Sequence, residues 1–216
     1  MNFIEFKEKM EPFRVFSVVD IGKMFPGFAW LNLVNWQKKG YIQKLRRQWY
    51  CFSYPGNQQN NSWLAANLVY QPSYISLETA LSFYSIIPEA IYSVTSVTTK
   101  KTNRFETPLG NFTYTSIKEQ LFGFGQKLVN YSRESEDNPG KTGRKILFAD
   151  PEKAILDFFY INHQYNTEEE IEYLRFDAHV LSEIIEPSRF FEYLARYDSK
   201  ALTVRILKLQ KVYSLI

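Results

Sequence analysis

The chain has 216 residues, of which 45% are hydrophobic and 17% aromatic, and its formal net charge is +3. This length accommodates one large domain or two small ones, and the apolar content is sufficient to build hydrophobic cores. No apolar run approaches the roughly 20 residues that span a bilayer, and residues 1–13 lack the apolar centre of a signal peptide. We therefore expect a cytoplasmic protein that does not enter membranes. The single cysteine, Cys51, excludes an internal disulfide, and its aromatic neighbours predict a buried structural thiol.

The stretch from Phe16 to Phe52 begins with the pattern of two short helices. Ser17 predicts the start of a first helix over residues 18–24, because its hydroxyl can accept from the free amides of the first turn. The Pro26–Gly27 pair ends that helix. A second helix is then predicted over residues 28–39, before a glycine that tolerates left-handed geometry.

The predicted second helix has two different faces. Its inner side would hold Ala29, Trp30, Leu33, Trp36 and Gln37. Its outer side would hold Phe28, Asn32, Asn35 and Lys39, with Leu31 and Lys38 beside them. Amide side chains on one face suit the edges of adenine bases, and the ammonium groups suit phosphates.

Two β-prone runs, Tyr41–Ile42 and Trp49–Phe52, follow the second helix and flank a basic segment. That segment, residues 43–48, is predicted to be the tip of a hairpin. This order of elements is typical of a winged helix-turn-helix, a DNA-reading module. The candidate DNA-binding residues are Asn32, Asn35, Lys38, Lys39, Lys44, Arg46 and Arg47.

The distribution of charge favours the same interpretation. Residues 1–55 hold nine Lys/Arg and four Asp/Glu, a net of +5, whereas residues 56–216 hold seventeen and nineteen, a net of −2. Basic charge gathered on one small module is the electrostatic footprint of a nucleic-acid binder. The alternative is a purely structural pair of helices and hairpin that carries ordinary surface lysines and arginines.

The polar residues 53–61 predict a boundary between two domains, residues 1–55 and residues 62–216. Ser62 predicts a helix that ends near Tyr70, and Ser76 predicts another that ends near Pro88. Alternating β-branched runs then predict a mainly antiparallel sheet within about residues 91–148. Its strands are expected at residues 91–99, 104–106, 111–117, 127–131 and 145–148, with a polar loop at residues 134–143.

The remaining sequence is helical in character. Asp150 as N-cap and Pro151 as first helical residue predict a helix, with Glu152 near its positive end. Pro187 interrupts the helical tail, and residues 202–215 predict a closing amphipathic helix. The fold class is therefore α+β: an N-terminal winged helix-turn-helix, then a mixed α+β domain with a mainly antiparallel sheet and a helical tail over residues 150–216.

No arrangement in the sequence points to catalysis. His163 and His179 lack a metal-ligand partner at helical spacing, and no glycine-rich phosphate loop is present. The pair Glu152–Lys153 invites comparison with nuclease sites, but it lacks the intervening residue of those motifs. The acidic run Glu168–Glu170 predicts a solvated helix start or, alternatively, a surface for a basic partner. We expect no catalytic residue, no metal and no cofactor.

Four distinctive strings follow one another in the chain: Gln71–Leu81, Ile87–Thr98, Phe105–Phe112 and Asp150–Asp157. In this order, behind the basic N-terminal stretch, they resemble the AbiEi family of abortive-infection antitoxins. Members of that family are the transcriptional-regulator halves of type IV toxin–antitoxin pairs. The resemblance covers about residues 15–165, and the agreement of four separate strings makes it specific.

The resemblance implies an antitoxin that represses its own operon by binding inverted repeats in double-stranded promoter DNA through the winged helix. It also implies a nucleotidyltransferase-like toxin as functional partner, without a stable complex, and a monomer in solution that binds the repeats cooperatively. The chain departs from the family at Gln48 and Ser85, where glycine is usual. The alternative functions are a stand-alone transcriptional regulator and a protein-interaction module that docks a partner on Phe28 and Leu31.

Overall fold

The computed structural model describes residues 1–53, 58–89, 91–130 and 144–214, with residues 58–60 described by their backbone alone. The loop predicted at residues 134–143 therefore lies outside the described residues. The N-terminal part contains α1 (Phe3–Met10), β1 (Val15–Ser17), α2 (Val18–Met24), α3 (Leu31–Lys38), β2 (Ile42–Arg46) and β3 (Trp49–Phe52). Beyond it lie α4 (Gln58–Val69), β4 (Ser73–Ile75), α5 (Leu77–Phe83), β5 (Ser93–Thr98), β6 (Asn103–Thr107), β7 (Gly110–Ser116), β8 (Gln126–Asn130), β9 (Lys145–Ala149), α6 (Pro151–Ile161), α7 (Glu168–Glu172), α8 (Ala178–Ile184), α9 (Pro187–Tyr197) and α10 (Lys200–Tyr213).

The first three strands form an antiparallel sheet in the order β1–β3–β2. Because side chains alternate along a strand, the two faces of this sheet reach different cores. Tyr50 and Phe52 join a small aromatic core with α1, α2 and α3. Cys51 joins the large core of the rest of the molecule, together with Val15 and Leu45 on the neighbouring strands. The sheet therefore separates two cores and packs against one of them on each face. The helix α4 contacts its two outer strands.

The second sheet has six strands in the order β6–β7–β5–β4–β9–β8. The pairs β5–β7 and β4–β9 are parallel, and the other three pairs are antiparallel, so the sheet is mixed. The strands expected at residues 91–148 are present within one or two residues. The short strand β4 lies before that range and was not predicted, although it occupies the middle of the sheet. The α+β class is confirmed.

Helices cover both faces of the six-stranded sheet. Ile75 of β4 is the register partner of Phe148 of β9, so these two side chains share a face. The ring of Phe148 lies 5.3 Å from that of Trp63 in α4. Tyr74, on the opposite face, donates to Asp157 of α6 over 2.8 Å. The sheet is thus a layer between α4 and α6, and α7 and α9–α10 continue the helical layer around α6.

The predicted helix starts have different outcomes. Ser17 caps α2 and Asp150 caps α6, with Pro151 at the first turn, as expected. The prediction for Ser62 is wrong: α4 begins at Gln58, and the Ser62 hydroxyl donates to the carbonyl of Leu109 over 2.7 Å. Within the described ranges, no helix is long and apolar enough to cross a membrane.

Candidate nucleic-acid interface

A capping box fixes the start of α2. The Ser17 hydroxyl oxygen accepts from the amide of Asp20 at 3.1 Å, and the Asp20 carboxylate accepts from the amide of Ser17 at 2.8 Å. The same carboxylate pairs with Arg144 at 3.2 Å. Although burial alone would raise it, the hydrogen bonds from Ser17 and the charge of Arg144 hold the pKa of Asp20 below its usual 3.8. Asp20 is thus a satisfied carboxylate rather than an unpaired negative charge.

The helix α3 exposes one face that carries both aliphatic and polar side chains. Leu33 and Trp36 are buried in the aromatic core, and the side-chain amide of Gln37 donates back to the carbonyl of Leu33 at 3.0 Å. The exposed positions recur at the spacing of one helix face, and they are Leu31, Val34, Asn35 and Lys38. No residue of α3 is acidic. The outward face therefore presents an amide, an ammonium group and two aliphatic side chains.

Three residues predicted on this helix lie elsewhere. The helix begins at Leu31, because the preceding segment turns inward and Phe28 packs its ring 5.7 Å from that of Phe6. Phe28 is therefore buried, and its predicted place on the outer face is wrong. Ala29 and Trp30 were expected inside, but both are exposed, Trp30 with 49% of its surface accessible.

The predicted base-reading and phosphate residues are not equivalent. Asn35 and Lys38 lie within the exposed stripe of α3, whereas Asn32 lies at its flank and is half-buried. Lys39 follows the helix as its C-cap residue and is exposed, with its ammonium group 5.9 Å from the ring centre of Tyr41. Asn35 is thus the better placed of the two amides.

The hairpin is longer and its turn tighter than predicted. The strand β2 runs to Arg46, so the turn comprises only Arg47 and Gln48. Arg47 adopts a positive φ of 39°, which places the left-handed conformation on Arg47 rather than on Gln48. Lys44 and Arg47 are both exposed.

Arg46 lies against an aromatic ring of the second sheet. Its guanidinium lies 3.5 Å from the ring centre of Phe105 on β6 and donates to the carbonyl of Val69 over 3.4 Å. Burial, and then the charge of Arg47, lower the pKa of Arg46. The structure therefore brings Asn35, Lys38, Lys39, Lys44 and Arg47 to the surface of the N-terminal part and places Arg46 at its junction with the second sheet.

Two exposed aliphatic residues were not among the predicted DNA-binding residues. Leu31 and Val34 have 68% and 45% of their surfaces accessible, and both flank Asn35 on the same helix face. The sequence analysis placed Leu31 beside the outer face, and the spacing of three residues between Leu31 and Val34 would have added Val34 to it. Lys23, in the last turn of α2, adds a further exposed cation.

No protein-family model matches the chain, and no curated protein is significantly similar to it.

The carboxylate–lysine pair on α6 is enclosed by protein. Glu152 and Lys153 are both fully buried. Glu152 accepts from Arg189 at 2.7 Å and from the amide of Glu186 at 2.8 Å. Lys153 forms a buried ion pair with Asp157 at 2.5 Å. These contacts give both side chains a packing role on the inner side of α6.

The remaining titratable candidates are either buried or dispersed. Cys51 has only 3% of its surface exposed, so the predicted buried thiol is confirmed, and this burial raises the pKa of the thiol to about 12. His179 is exposed and lies 3.4 Å from Glu183 on the same helix. The acidic run forms α7, where Thr167 and Glu170 make a capping box and Glu168 pairs with Lys211 at 2.6 Å. In the part of the chain that the structure describes, no three metal-ligating side chains cluster together.

Proposed function

We propose that the chain is a DNA-binding transcriptional regulator whose N-terminal part is a winged helix-turn-helix. The observation that carries the proposal is the acid-free outward face of α3, with Asn35 and Lys38, followed by a hairpin with exposed Lys44 and Arg47. The order helix, turn, helix and hairpin is that of the proposed module. The excess of basic residues in residues 1–55 supports the same assignment.

In this proposal α3 enters the major groove. The amide of Asn35 reads an adenine edge, and Leu31 and Val34 contact thymine methyl groups beside it. Lys38 and Lys39 bind phosphates from the end of the helix, and the hairpin residues bind phosphates of the adjacent backbone. The half-buried Asn32 serves at most as a secondary contact.

We further propose that the regulated operon encodes a toxin and that the chain is its antitoxin. The support is the resemblance of the strings between Gln71 and Asp157 to type IV antitoxins. The DNA partner is then the inverted-repeat promoter of its own operon, and the functional partner is a nucleotidyltransferase-like toxin. Co-expression with the product of the neighbouring gene tests this step, and continued growth inhibition would contradict it.

DNA binding is tested by titrating a labelled upstream promoter duplex at several salt concentrations. If Lys38, Lys39, Lys44 and Arg47 each neutralise one phosphate, the slope of log affinity against log salt is roughly −4 per site. The double variant Lys44→Ala/Arg47→Ala should weaken binding to every sequence and lower the slope to roughly −2. The matched control is Lys118→Ala/Lys200→Ala, which removes two exposed lysines from the rest of the molecule. No binding by the wild-type protein, or equal effects of the two double variants, would refute the interface.

Base reading requires a separate experiment. Asn35→Ala should lose the preference for adenine at one position of each half-site, by about 1–3 kcal/mol of discrimination, while retaining the salt slope. Asn32→Ala, on the flank of the same helix, is the control and should change the preference less. Selection of binding sites from a randomised duplex measures both. An unchanged preference in Asn35→Ala would contradict the assigned orientation of α3.

A second function is favoured by one observation. Trp30, Leu31 and Val34 form an exposed apolar group on and before α3, with 49%, 68% and 45% of their surfaces accessible. Such a group suits a protein-docking surface as well as thymine contacts. Promoter binding distinguishes the two. A DNA reader binds the promoter duplex, and Leu31→Ser lowers its affinity for thymine-containing sites, whereas a docking module shows no promoter binding in the wild type or in any variant.

A further inference from the structure

A recess lies where the β2–β3 turn meets the six-stranded sheet. Its volume is about 570 Å³. The hairpin contributes Arg46, Arg47 and Trp49 to its walls, and the facing side contributes Tyr70, Lys100 and Asn103. This volume falls within the usual range for sites that enclose a small ligand.

The recess gathers positive charge. Arg46, Arg47 and Lys100 line it, and none of the lining residues that the structure describes is acidic. None of the three cations forms an ion pair with a carboxylate in the ranges described by the structure. Like charges held together repel, so an anion that enters the recess relieves that repulsion as well as forming its own contacts.

Aromatic rings hold two of these cations in position. The Arg46 guanidinium lies over Phe105 at 3.5 Å and near Tyr70 at 5.4 Å, and the Lys100 ammonium lies 5.6 Å from the centre of the Tyr70 ring. A guanidinium has five N–H donors along its edges, and Arg46 directs one of them to the carbonyl of Val69. Donors that are already ordered bind a phosphate with little further loss of entropy.

We propose that this recess is a binding site for a phosphate group, held by Arg46, Arg47 and Lys100. The phosphate belongs either to a free small molecule of nucleotide size, with the indole of Trp49 beside it, or to a DNA backbone that continues past the hairpin. Only the second source rests on the proposed function. Because Arg47 also belongs to the proposed DNA interface, a free ligand here would compete with DNA for that side chain.

The first arm of the test contains no DNA. The full chain is titrated by calorimetry with ATP and, separately, with inorganic pyrophosphate at constant ionic strength. A free ligand predicts one site per chain, and Lys100→Glu should weaken binding about tenfold or more through loss of a charge-assisted hydrogen bond. Lys101→Glu is the matched control, since this neighbouring exposed lysine does not line the recess and should bind as the wild type does.

The second arm uses the promoter duplex. If ATP and pyrophosphate do not bind, but Lys100→Glu weakens DNA binding about tenfold and Lys101→Glu does not, the phosphate is that of the DNA backbone. The site is refuted if Lys100→Glu affects neither titration, or if the two variants weaken binding equally. Absence of DNA binding by the wild-type protein would refute the proposed function, while the calorimetric arm would still decide the recess.

Discussion

Lys153 is a charged residue without any exposure to solvent, and the groups around it pair with its ammonium group and accept its hydrogen bonds. Its ammonium lies 2.5 Å from Asp157 and donates to Tyr197 over 2.7 Å. Tyr74 and Ser76 donate to the second oxygen of Asp157, each at 2.8 Å. Burial lowers the pKa of Lys153, while the charge of Asp157 opposes that change. The network ties α6 to β4 and to α9, so its contribution depends on every partner being present.

Removing the lysine alone should therefore be costly. Lys153→Met leaves the Asp157 carboxylate buried without a counter-charge, and we expect a loss of about 3–5 kcal/mol in the free energy of unfolding. Urea denaturation of the variant measures this loss. Lys200→Met, at the exposed first residue of α10, is the control and should change stability by less than about 0.5 kcal/mol. Equal stabilities of the two variants would show that the pair contributes nothing.

Gly125 lies beside the same network and has a left-handed backbone with φ +65°. A Cβ at this position would lie 2.7 Å from Cβ of Lys153 and 2.9 Å from the ring of Tyr193. Gly40 has a similar φ of +70° and open space around it. Gly40→Ala should cost about 1–2 kcal/mol from backbone strain alone, and Gly125→Ala should cost clearly more. Thermal unfolding compares the two, and an equal cost would contradict the close packing.

Among the elements, α2 has a stability that depends on pH. The pKa of Asp20 is below 3.8 in the folded state, so its contribution is complete above that pH and disappears as the pH falls through the folded value. Asp20→Asn should cost about 1 kcal/mol at pH 7 and progressively less below pH 3.8. Arg144→Gln removes the partly exposed ion pair and the contact of the guanidinium with the Phe13 ring at 5.0 Å, but it leaves the capping hydrogen bonds, so it should cost less. Urea denaturation between pH 7 and pH 3 measures both, and a constant difference for Asp20→Asn would be the contrary result.

The start of α2 could be predicted from sequence because its determinants are local. Ser17 and Asp20 stand three residues apart and satisfy one another's backbone amides. The start of α3 could not, because it depends on an inward turn that buries Phe28 against Phe6 in an aromatic core. The strand β4 has three residues, too few for a periodic pattern, and its neighbours β5 and β9 lie far along the chain.

For the candidate interface as well, the sequence predicted what depends on local pattern and missed what depends on tertiary contacts. Asn35, Lys38 and Lys44 are exposed because their amide and ammonium groups are more stable in water than in a core. Arg46 follows the same pattern of charge, but its position depends on Phe105, a residue distant in sequence that offers an aromatic face. Local pattern therefore finds basic residues, and only tertiary contacts show which way each one points.

In the whole molecule, the shared sheet should couple the two cores during unfolding. Leu45 belongs to the N-terminal strands but packs in the larger core, so we expect Leu45→Ala to lower stability by about 2–5 kcal/mol. Because unfolding of the three-stranded sheet exposes both cores together, calorimetry should still show one transition, with equal calorimetric and van't Hoff enthalpies. Leu207→Ala, on a residue with 58% of its surface exposed, should have little effect. Two separate transitions would show that the parts unfold independently.

The alternation along β3 also constrains how this sequence can change. Tyr50 and Phe52 pack in one core, and Trp49 and Cys51 contact the other, so neighbouring residues of one short strand belong to different cores. An insertion or deletion of one residue before Trp49 would exchange the two sets, placing large aromatic rings where a thiol now fits. A single insertion or deletion would therefore disrupt the packing of both cores. The spacing between α3 and the end of β3 is thus constrained by two cores at once.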